Sequence, residues 1–351
     1  MLTRSLVLAL ALFAPSAPLL HAQVAAPPPP AAAHHGWKAT PPKELFEIER
    51  VVDGDTLHIR RNGEVQKLRL LSVDTEEKFS TSTGDASKPS TAFGEECAQW
   101  AAQFFKDLAK EGEPSKIGLA FPGEREERDV YGRVLCYVVL PDGRNFNLLL
   151  VELGKSPYFN KYGNDLWLHD EFVAAQRTAR EKQLGIWNPA ANQPKSAGAP
   201  AARRPYDELL PWWDARALAV DGYRAALAKH PEHVAAADSP IELARALASS
   251  EGGGEVEVFG SIEKFFEEDD GSLTVLFRSS SKDGAFRAKL AKDVRSKFDA
   301  LDLKGSTEEF RQNYLWVRGK LVKGGRGFDM QCSEPERWRL AGPQPVAPAK
   351  R

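Results

Sequence analysis

Asn62 and Gly63 stand between two runs that read as strands, Thr56 to Arg61 and Val65 to Val73. Asn-Gly readily takes the two positive-φ positions of a type I′ turn, so this stretch is expected to form a tight antiparallel hairpin. Leu45 to Val52 supplies a strand ahead of it. Downstream, Phe93, Cys97, Trp100, Ala101, Phe104 and Leu108 recur at helical spacing and predict a helix over about 91–110 with one core-facing stripe. Strands are then expected at Lys116 to Phe121 and Val134 to Leu140, with Asp142-Gly143 as a second turn. Helices should follow at 147–153 and 169–184.

Three strands, a helix, two strands and terminal helices predict a mainly β fold with helices: a five-stranded barrel of the oligonucleotide/oligosaccharide-binding (OB) type. At 351 residues the chain is long enough for about two such domains. Proline- and alanine-rich breaks divide it into a tether at 23–43, a folded segment at 44–187, a linker at 188–205 and a second folded part from 206. Arg4 followed by the apolar run Leu6 to Phe13 and a small-residue site near Ala22 reads as a signal peptide over 1–22. No later run reaches the roughly 18 apolar residues of a membrane span, so a mature chain free of the membrane, periplasmic or secreted, is expected. Three Cys exclude a disulfide scaffold and a CxxC zinc site. Cys97 and Cys136 are either one bridge or two buried thiols.

The second part reads as helical over 206–250, where Trp212-Trp213 is expected to pack between domains rather than stack on bases. Alternation around Val256 to Ile262, Leu273 to Phe277 and Tyr314 to Arg318, with a helix near 292–301 and a Gly324-Gly325 turn, predicts a second OB-like barrel over 251–342 and a tail at 343–351. The acidic run Glu267 to Asp270 reads as a solvated hairpin tip.

Four clusters carry chemistry. Asp53-Gly54-Asp55-Thr56 lies between two strands. Arg69-Leu70-Leu71-Ser72-Val73-Asp74-Thr75-Glu76-Glu77 runs off the third strand. Asp129-Val130-Tyr131-Gly132-Arg133 opens another strand, and a Gly/Pro/aromatic loop spans Lys155 to Tyr162. Each alone suits a turn or a solvated loop. In this order they closely resemble the staphylococcal-type nuclease (thermonuclease) family, a resemblance that extends through Asn147, Gly154, Lys155 and Leu184-Gly185-Ile186-Trp187 and covers about 44–187.

Asp55 and Asp74 offer hard carboxylate oxygens suited to Ca²⁺, and by the resemblance they and the Thr75 carbonyl are the metal ligands. Arg69 and Arg133 present planar forks matched to phosphate and correspond to the family's phosphate-binding pair. Glu77 is expected to be the general base, and Tyr131 and Tyr158 match the family's substrate-contact positions. Asp53 is at most an outer-shell carboxylate. The implied activity is Ca²⁺-dependent hydrolysis of DNA and RNA leaving 3′-phosphates, by a monomer. Rival readings are a non-catalytic nucleic-acid- or protein-binding module and a phosphodiesterase for a smaller substrate. Retention of Asp55, Arg69, Asp74, Glu77 and Arg133 speaks against the non-catalytic reading. The second barrel is expected to present substrate or bind a protein partner.

Strict alternation puts Arg69 and Asp74 on opposite faces, so a shared site requires the strand to bend, bulge or end between them. Three positions depart from the family's pattern. Glu76 replaces a Pro and should loosen the turn that aims Glu77 and add charge beside the metal. Val130 replaces a Lys, and Asn160 replaces a substrate-facing Tyr. Over 44–187, 19 Lys/Arg stand against 25 Asp/Glu, which predicts weak, salt-sensitive substrate binding.

Overall fold

Asn62 and Gly63 both adopt positive φ, 54° and 79°, and join two antiparallel strands as the hairpin requires. The structure, a computed structural model, describes residues 36–78, 90–129, 131–192, 202–250, 254–279, 284–305 and 313–341. The expected leader, most of the tether, Val130, the middle of the 188–205 break and the tail lie outside these residues.

The first barrel is built from β1 (Phe46–Val51), β2 (Thr56–Arg61), β3 (Glu64–Leu70), β4 (Lys116–Ala120) and β6 (Val134–Val139), with a short β5 (Glu127–Arg128) beside β6. β1, β2 and β3 form an antiparallel meander; β6 pairs parallel with β3 and antiparallel with β4, and β4 returns to β1 to close the circuit. Leu57, Ile59, Leu68, Leu70, Val134, Cys136 and Val138 alternate into the interior. Helix α1 (Ala92–Leu108) caps it with Phe105, Trp100, Phe104 and Leu108, while Phe93 and Cys97 of the same helix pack in a second cluster with Ile186, Tyr206 and Trp213, and α2 (Phe146–Glu152) and α3 (His169–Glu181) follow β6.

Buried Asn147 ties this barrel together. Its Oδ1 accepts from the Val138 amide at 3.0 Å, and its Nδ2 donates to the carbonyls of Leu71 at 2.9 Å and Cys136 at 3.2 Å. It thereby satisfies backbone groups exactly where the β3 and β6 ladders run out. Residues 36–43, read as tether, instead lie on the barrel: Trp37 Nε1 donates to the Gly143 carbonyl at 2.9 Å and its ring meets Tyr137 edge-on.

Beyond the break come α4 (Tyr206–Lys229), β7 (Val234–Ala236) and α5 (Pro240–Ser249), so the segment read as wholly helical contains a strand. The remaining strands are β8 (Val256–Gly260), β9 (Ile262–Glu267), β10 (Leu273–Phe277), β11 (Ala285–Leu290), β12 (Tyr314–Gly319), β13 (Leu321–Gly324), β14 (Gly327–Cys332) and β15 (Trp338–Ala341). β11 pairs parallel with β14, β14 antiparallel with β13, and β12 antiparallel with β8. With β8–β9 and β12–β13 taken as two bent strands, this is the same circuit as in the first barrel, as the OB-like reading requires. The helix expected at 292–301 is a 3₁₀ stretch, Arg295–Leu301.

All three cysteines are buried and free, which decides for thiols over a bridge. Glu267 to Asp270 is a hairpin tip, closed by the Gly271 amide donating to the Glu268 carbonyl. No helix among the described residues is long and apolar enough to cross a membrane.

Replacing Asn147 by Ala takes their partner from the Val138 amide and the Leu71 carbonyl, while the Cys136 carbonyl keeps the Leu71 amide, so Asn147→Ala should lose about 2–3 kcal/mol. The urea midpoint measures it, and a loss below about 1 kcal/mol would show that Asn147 does not hold the two ladders together.

Candidate active site

β3 ends at Leu70, and Ser72 takes a φ of 62°, reversing the chain so that Asp74 returns to the face from which Arg69 projects. The break between Arg69 and Asp74 is therefore a left-handed residue just beyond the strand end. Arg69 Nη1 donates to Asp55 Oδ1, and its Nη2 donates to Asp74 Oδ1 at 2.5 Å. Asp55 Oδ2 accepts from the Thr75 amide at 2.8 Å, and Asp55 Oδ1 from the Thr56 hydroxyl at 3.0 Å. The Asp74 amide donates to Ser156 Oγ at 2.9 Å. Asp55, Asp74 and Thr75 are buried at 3%, 0% and 3% exposure, while the Arg69 side chain keeps 16% and marks the open side.

The Asp-Gly-Asp turn is more than a favoured bend. A Cβ at Gly54 would lie 2.5 Å from Thr75 Cγ2 and 2.8 Å from Cys97 Sγ, so only glycine lets the turn, the 74–77 segment and α1 meet. Asp53 Oδ1 accepts from the Asp55 amide at 3.1 Å. Burial and, next, the charge of Asp55 push the Asp53 carboxyl up to about 7. Burial works against the charge of Arg69, but Asp55 and Asp74 outweigh it and hold the guanidinium's protons more tightly than usual. Burial raises the Cys97 thiol, which makes it a packing residue rather than a nucleophile.

Glu77 is fixed by its backbone: its carbonyl accepts from the Thr91 amide at 3.0 Å, it bridges to Ser90, and its charge contributes to raising Asp53. Gly94 on α1 packs so closely that a Cβ would collide with the Glu77 carbonyl.

The Asp-x-Tyr-Gly-Arg motif forms a capped turn. Asp129 Oδ1 accepts from the amides of Tyr131 at 3.0 Å and Arg133 at 2.9 Å, and Oδ2 accepts from Arg133 Nε at 2.7 Å. Burial pushes the Asp129 carboxyl up, but these bonds prevail and hold it below the ordinary range. The Arg133 guanidinium lies 5.5 Å from the centre of the Tyr131 ring, and Tyr131 is 80% exposed. Arg69 pairs with Leu135 in the parallel β3–β6 register. Continuing that register puts Arg133 on the same face, displaced by about 4.8 Å across and about 6.6 Å along the strands. Its ion pair is with Asp129 and not with the Asp55–Asp74 cluster.

Tyr158, expected as a substrate contact, turns its ring into the core. It is 3% exposed, its ring stacks on Phe172 at 5.2 Å, and its hydroxyl accepts from the Asp165 amide and meets His169 Nδ1 at 2.9 Å. Asn160 is also engaged, donating to Asp214 of α4 at 2.9 Å. Nor does Glu76 float as an added charge beside Asp74. At 1% exposure, its Oε1 accepts from the Arg204 amide at 2.9 Å and the Tyr206 hydroxyl at 2.7 Å, and its Oε2 from Thr91 Oγ1 at 2.5 Å. Arg204 and Tyr206, at the end of what reads as a linker, are the site residues that motif reasoning passes over. The signal available was Arg203-Arg204-Pro205-Tyr206, a basic pair and an aromatic closing an otherwise bland stretch. Trp213 packs on Phe159 at 4.8 Å, the interdomain role expected for the Trp pair.

A model of the staphylococcal nuclease homologue family matches residues 67–189. The thermonuclease of Staphylococcus intermedius is 31% identical over 144 residues, which cover 41% of this chain and 76% of that protein. The chain belongs to the staphylococcal nuclease family. An uncharacterized protein of Methanocaldococcus jannaschii, MJ1439, is 32% identical over 149 residues, 40% of this chain and 70% of that one. Endonuclease YhcR of Bacillus subtilis is 33% identical over 143 residues, but the chain spans only 11% of its length. The staphylococcal nuclease homology thus lies in the first barrel, and its matched span starts within β3 and ends just past Trp187.

No group of three or more His, Cys, Asp or Glu among the described residues converges as a metal site. The nuclease cluster instead has two buried carboxylates, Asp55 and Asp74, drawn onto one cation. That is a hard-oxygen donor pair whose other positions a backbone carbonyl and water can fill, which fits Ca²⁺.

Gly94→Ala would overpack the contact between α1 and the 76–77 backbone and should lose about 1–3 kcal/mol. Thermal unfolding checks this, and an unchanged midpoint would show that the helix does not fix Glu77.

Proposed function

We propose that this chain is an exported, Ca²⁺-dependent nuclease that hydrolyses phosphodiester bonds of DNA and RNA and leaves 3′-phosphates. The observation that carries this is the convergence of Asp55 and Asp74 on Arg69 at the open side of the barrel, with Arg133 on the same face. Its membership of a nuclease family supports the reaction class, and the basic, apolar N-terminus supports export to the periplasm or medium.

Asp55, Asp74 and the Thr75 carbonyl would hold Ca²⁺, which when bound supplies a Lewis acid for a phosphoryl oxygen. The chain's own residues do the rest. Arg69 leaves the carboxylates to grip the diester, and Arg133 binds it from the neighbouring strand. Together they stabilise the extra negative charge at pentacoordinate phosphorus. Glu77, fixed against α1, takes a proton from the attacking water. Tyr131 is the exposed ring available to a base.

A second reading, a phosphodiesterase for a smaller substrate, draws on the commitment of Tyr158 to the core and of Asn160 to Asp214, which removes one wall of base contacts.

The test is cleavage of DNA, RNA and dinucleotides with Ca²⁺ or chelator. Chelation should abolish activity, and Glu77→Gln and Arg69→Ala should each lower kcat at least about 10²-fold. Full activity in either variant would sink the mechanism, and cleavage of dinucleotides alone would select the smaller substrate. With two arginines as the phosphate contacts on an acidic domain, log affinity for single strands should fall with log salt at a slope of about −1.4. A slope several times steeper would show a basic track elsewhere.

A further inference from the structure

Asp74 is held from two sides. Its Oδ1 meets Arg69, whose side chain reaches the open face, while its Oδ2 accepts from Arg204 Nη1 at 2.6 Å. Arg204 Nη2 donates in turn to the Asp74 carbonyl oxygen at 2.5 Å, so one guanidinium fork spans both the side chain and the backbone of the same residue. The Arg204 side chain is 0% exposed. Two anchor points on Asp74 fix its χ1, and the planar fork achieves this as a flexible ammonium cannot.

The charge count favours cation binding. Arg204 Nε lies 3.9 Å from Glu76 Oε1, and the Tyr206 hydroxyl accepts from Arg204 while donating to Glu76. Glu76 thus balances Arg204, and the trio of Asp74, Glu76 and Arg204 keeps the single negative charge that Asp74 would offer a metal. Glu76 is fixed in turn by Thr91, the N-cap of α1. Further along, α4 is tied to the loop that follows Tyr158: Asn164 Nδ2 donates to Asp221 at 2.7 Å, and Arg224 Nη1 to the Asn164 carbonyl at 2.8 Å.

We propose that Arg204, supplied from beyond the region matched to the family, is a positioning residue: it holds Asp74 by Oδ2 and the backbone so that Oδ1 is presented to a divalent cation, making the 202–206 segment an integral part of the cation site. The inference rests on the calcium reading of the site and adds a residue to it. Partners that orient a metal ligand typically matter 10–100-fold in affinity.

The test uses full-length chain and Ca²⁺ alone, titrated calorimetrically, with unfolding followed separately in chelator. Arg204→Met should weaken Ca²⁺ binding by about 10–100-fold, and raising Ca²⁺ should restore kcat with KM for substrate little changed. Arg204→Lys, which keeps the charge and loses the fork, should lie between. Because Arg204→Met strands Glu76 without its cation and the single variant can fail to fold, the double variant Arg204→Met/Glu76→Met removes both charges. It should unfold later than Arg204→Met yet bind Ca²⁺ just as weakly. Tyr206→Phe, which leaves every bond to Asp74, should bind within about twofold of wild type.

If the Arg204 variants unfold earlier in chelator but bind Ca²⁺ like wild type, Arg204 is only structural and the proposal falls. It falls equally if they bind Ca²⁺ more tightly, which would make Arg204 a competitor for Asp74. If wild type itself takes up no Ca²⁺, the calcium reading falls first and takes this inference with it.

Discussion

Three carboxylates, Asp55, Asp74 and Glu76, are buried around one turn of chain, and the nuclease site depends on the two guanidiniums that meet them. An unpaired carboxylate in such a place costs several kcal/mol, so Arg69 and Arg204 decide whether the 74–77 segment can sit inward at all. The two do different work. Arg69 is partly open and bridges Asp55 to Asp74, so it can be drawn away by a phosphate. Arg204 is sealed, and its partners Glu76 and Tyr206 keep it in place whatever Arg69 does.

Steric fit enforces the same arrangement. Gly54 admits Thr75 and Cys97, and Gly94 admits the Glu76–Glu77 backbone, so the acidic turn is gripped between the β1–β2 connection and α1. Asn147 then closes the β3 and β6 ends behind it. The carboxylates are preorganised by these close backbone approaches together with buried side-chain bonds from Arg204, Thr91, Tyr206 and Ser156, the condition under which charge stabilisation needs little rearrangement during reaction.

How far the site could be read in advance follows from the range of the interactions involved. The hairpin at Asn62-Gly63, the α1 stripe and the barrel circuit rest on local periodicity and turn chemistry, and these are written along the chain. The parity conflict between Arg69 and Asp74 was visible, and its resolution at Ser72 is a local backbone event. Glu76 and Arg204 read differently along the chain because their decisive partners lie far away in it. Arg204 and Glu76 are separated by 128 residues, so a charge that looks solvated and a linker that looks open become a buried pair. Trp37 is the same case, joined to Gly143 across 106 residues. Tyr158 matched a motif position, but the ring's direction is set by Phe172 and His169, which no motif specifies.

The second barrel sharpens what the circuit alone can and cannot confer. Its third and fifth strands, β11 and β14, pair in parallel like β3 and β6, so it offers the same kind of strand ends for a site. There, however, Asp329 on β14 takes Arg287 at 3.1 Å and Lys289 at 2.7 Å within the sheet. Asp329 lies directly across the ladder from Arg287 and takes Lys289 on the diagonal, whereas Arg69 faces Leu135 in its register and reaches out of the sheet to Asp55 and Asp74. In the second barrel the cations of the third strand thus stay within the sheet, while in the first Arg69 is directed at the 53–55 and 74–77 turns. Chemistry on this fold follows from such placements and not from the strand order.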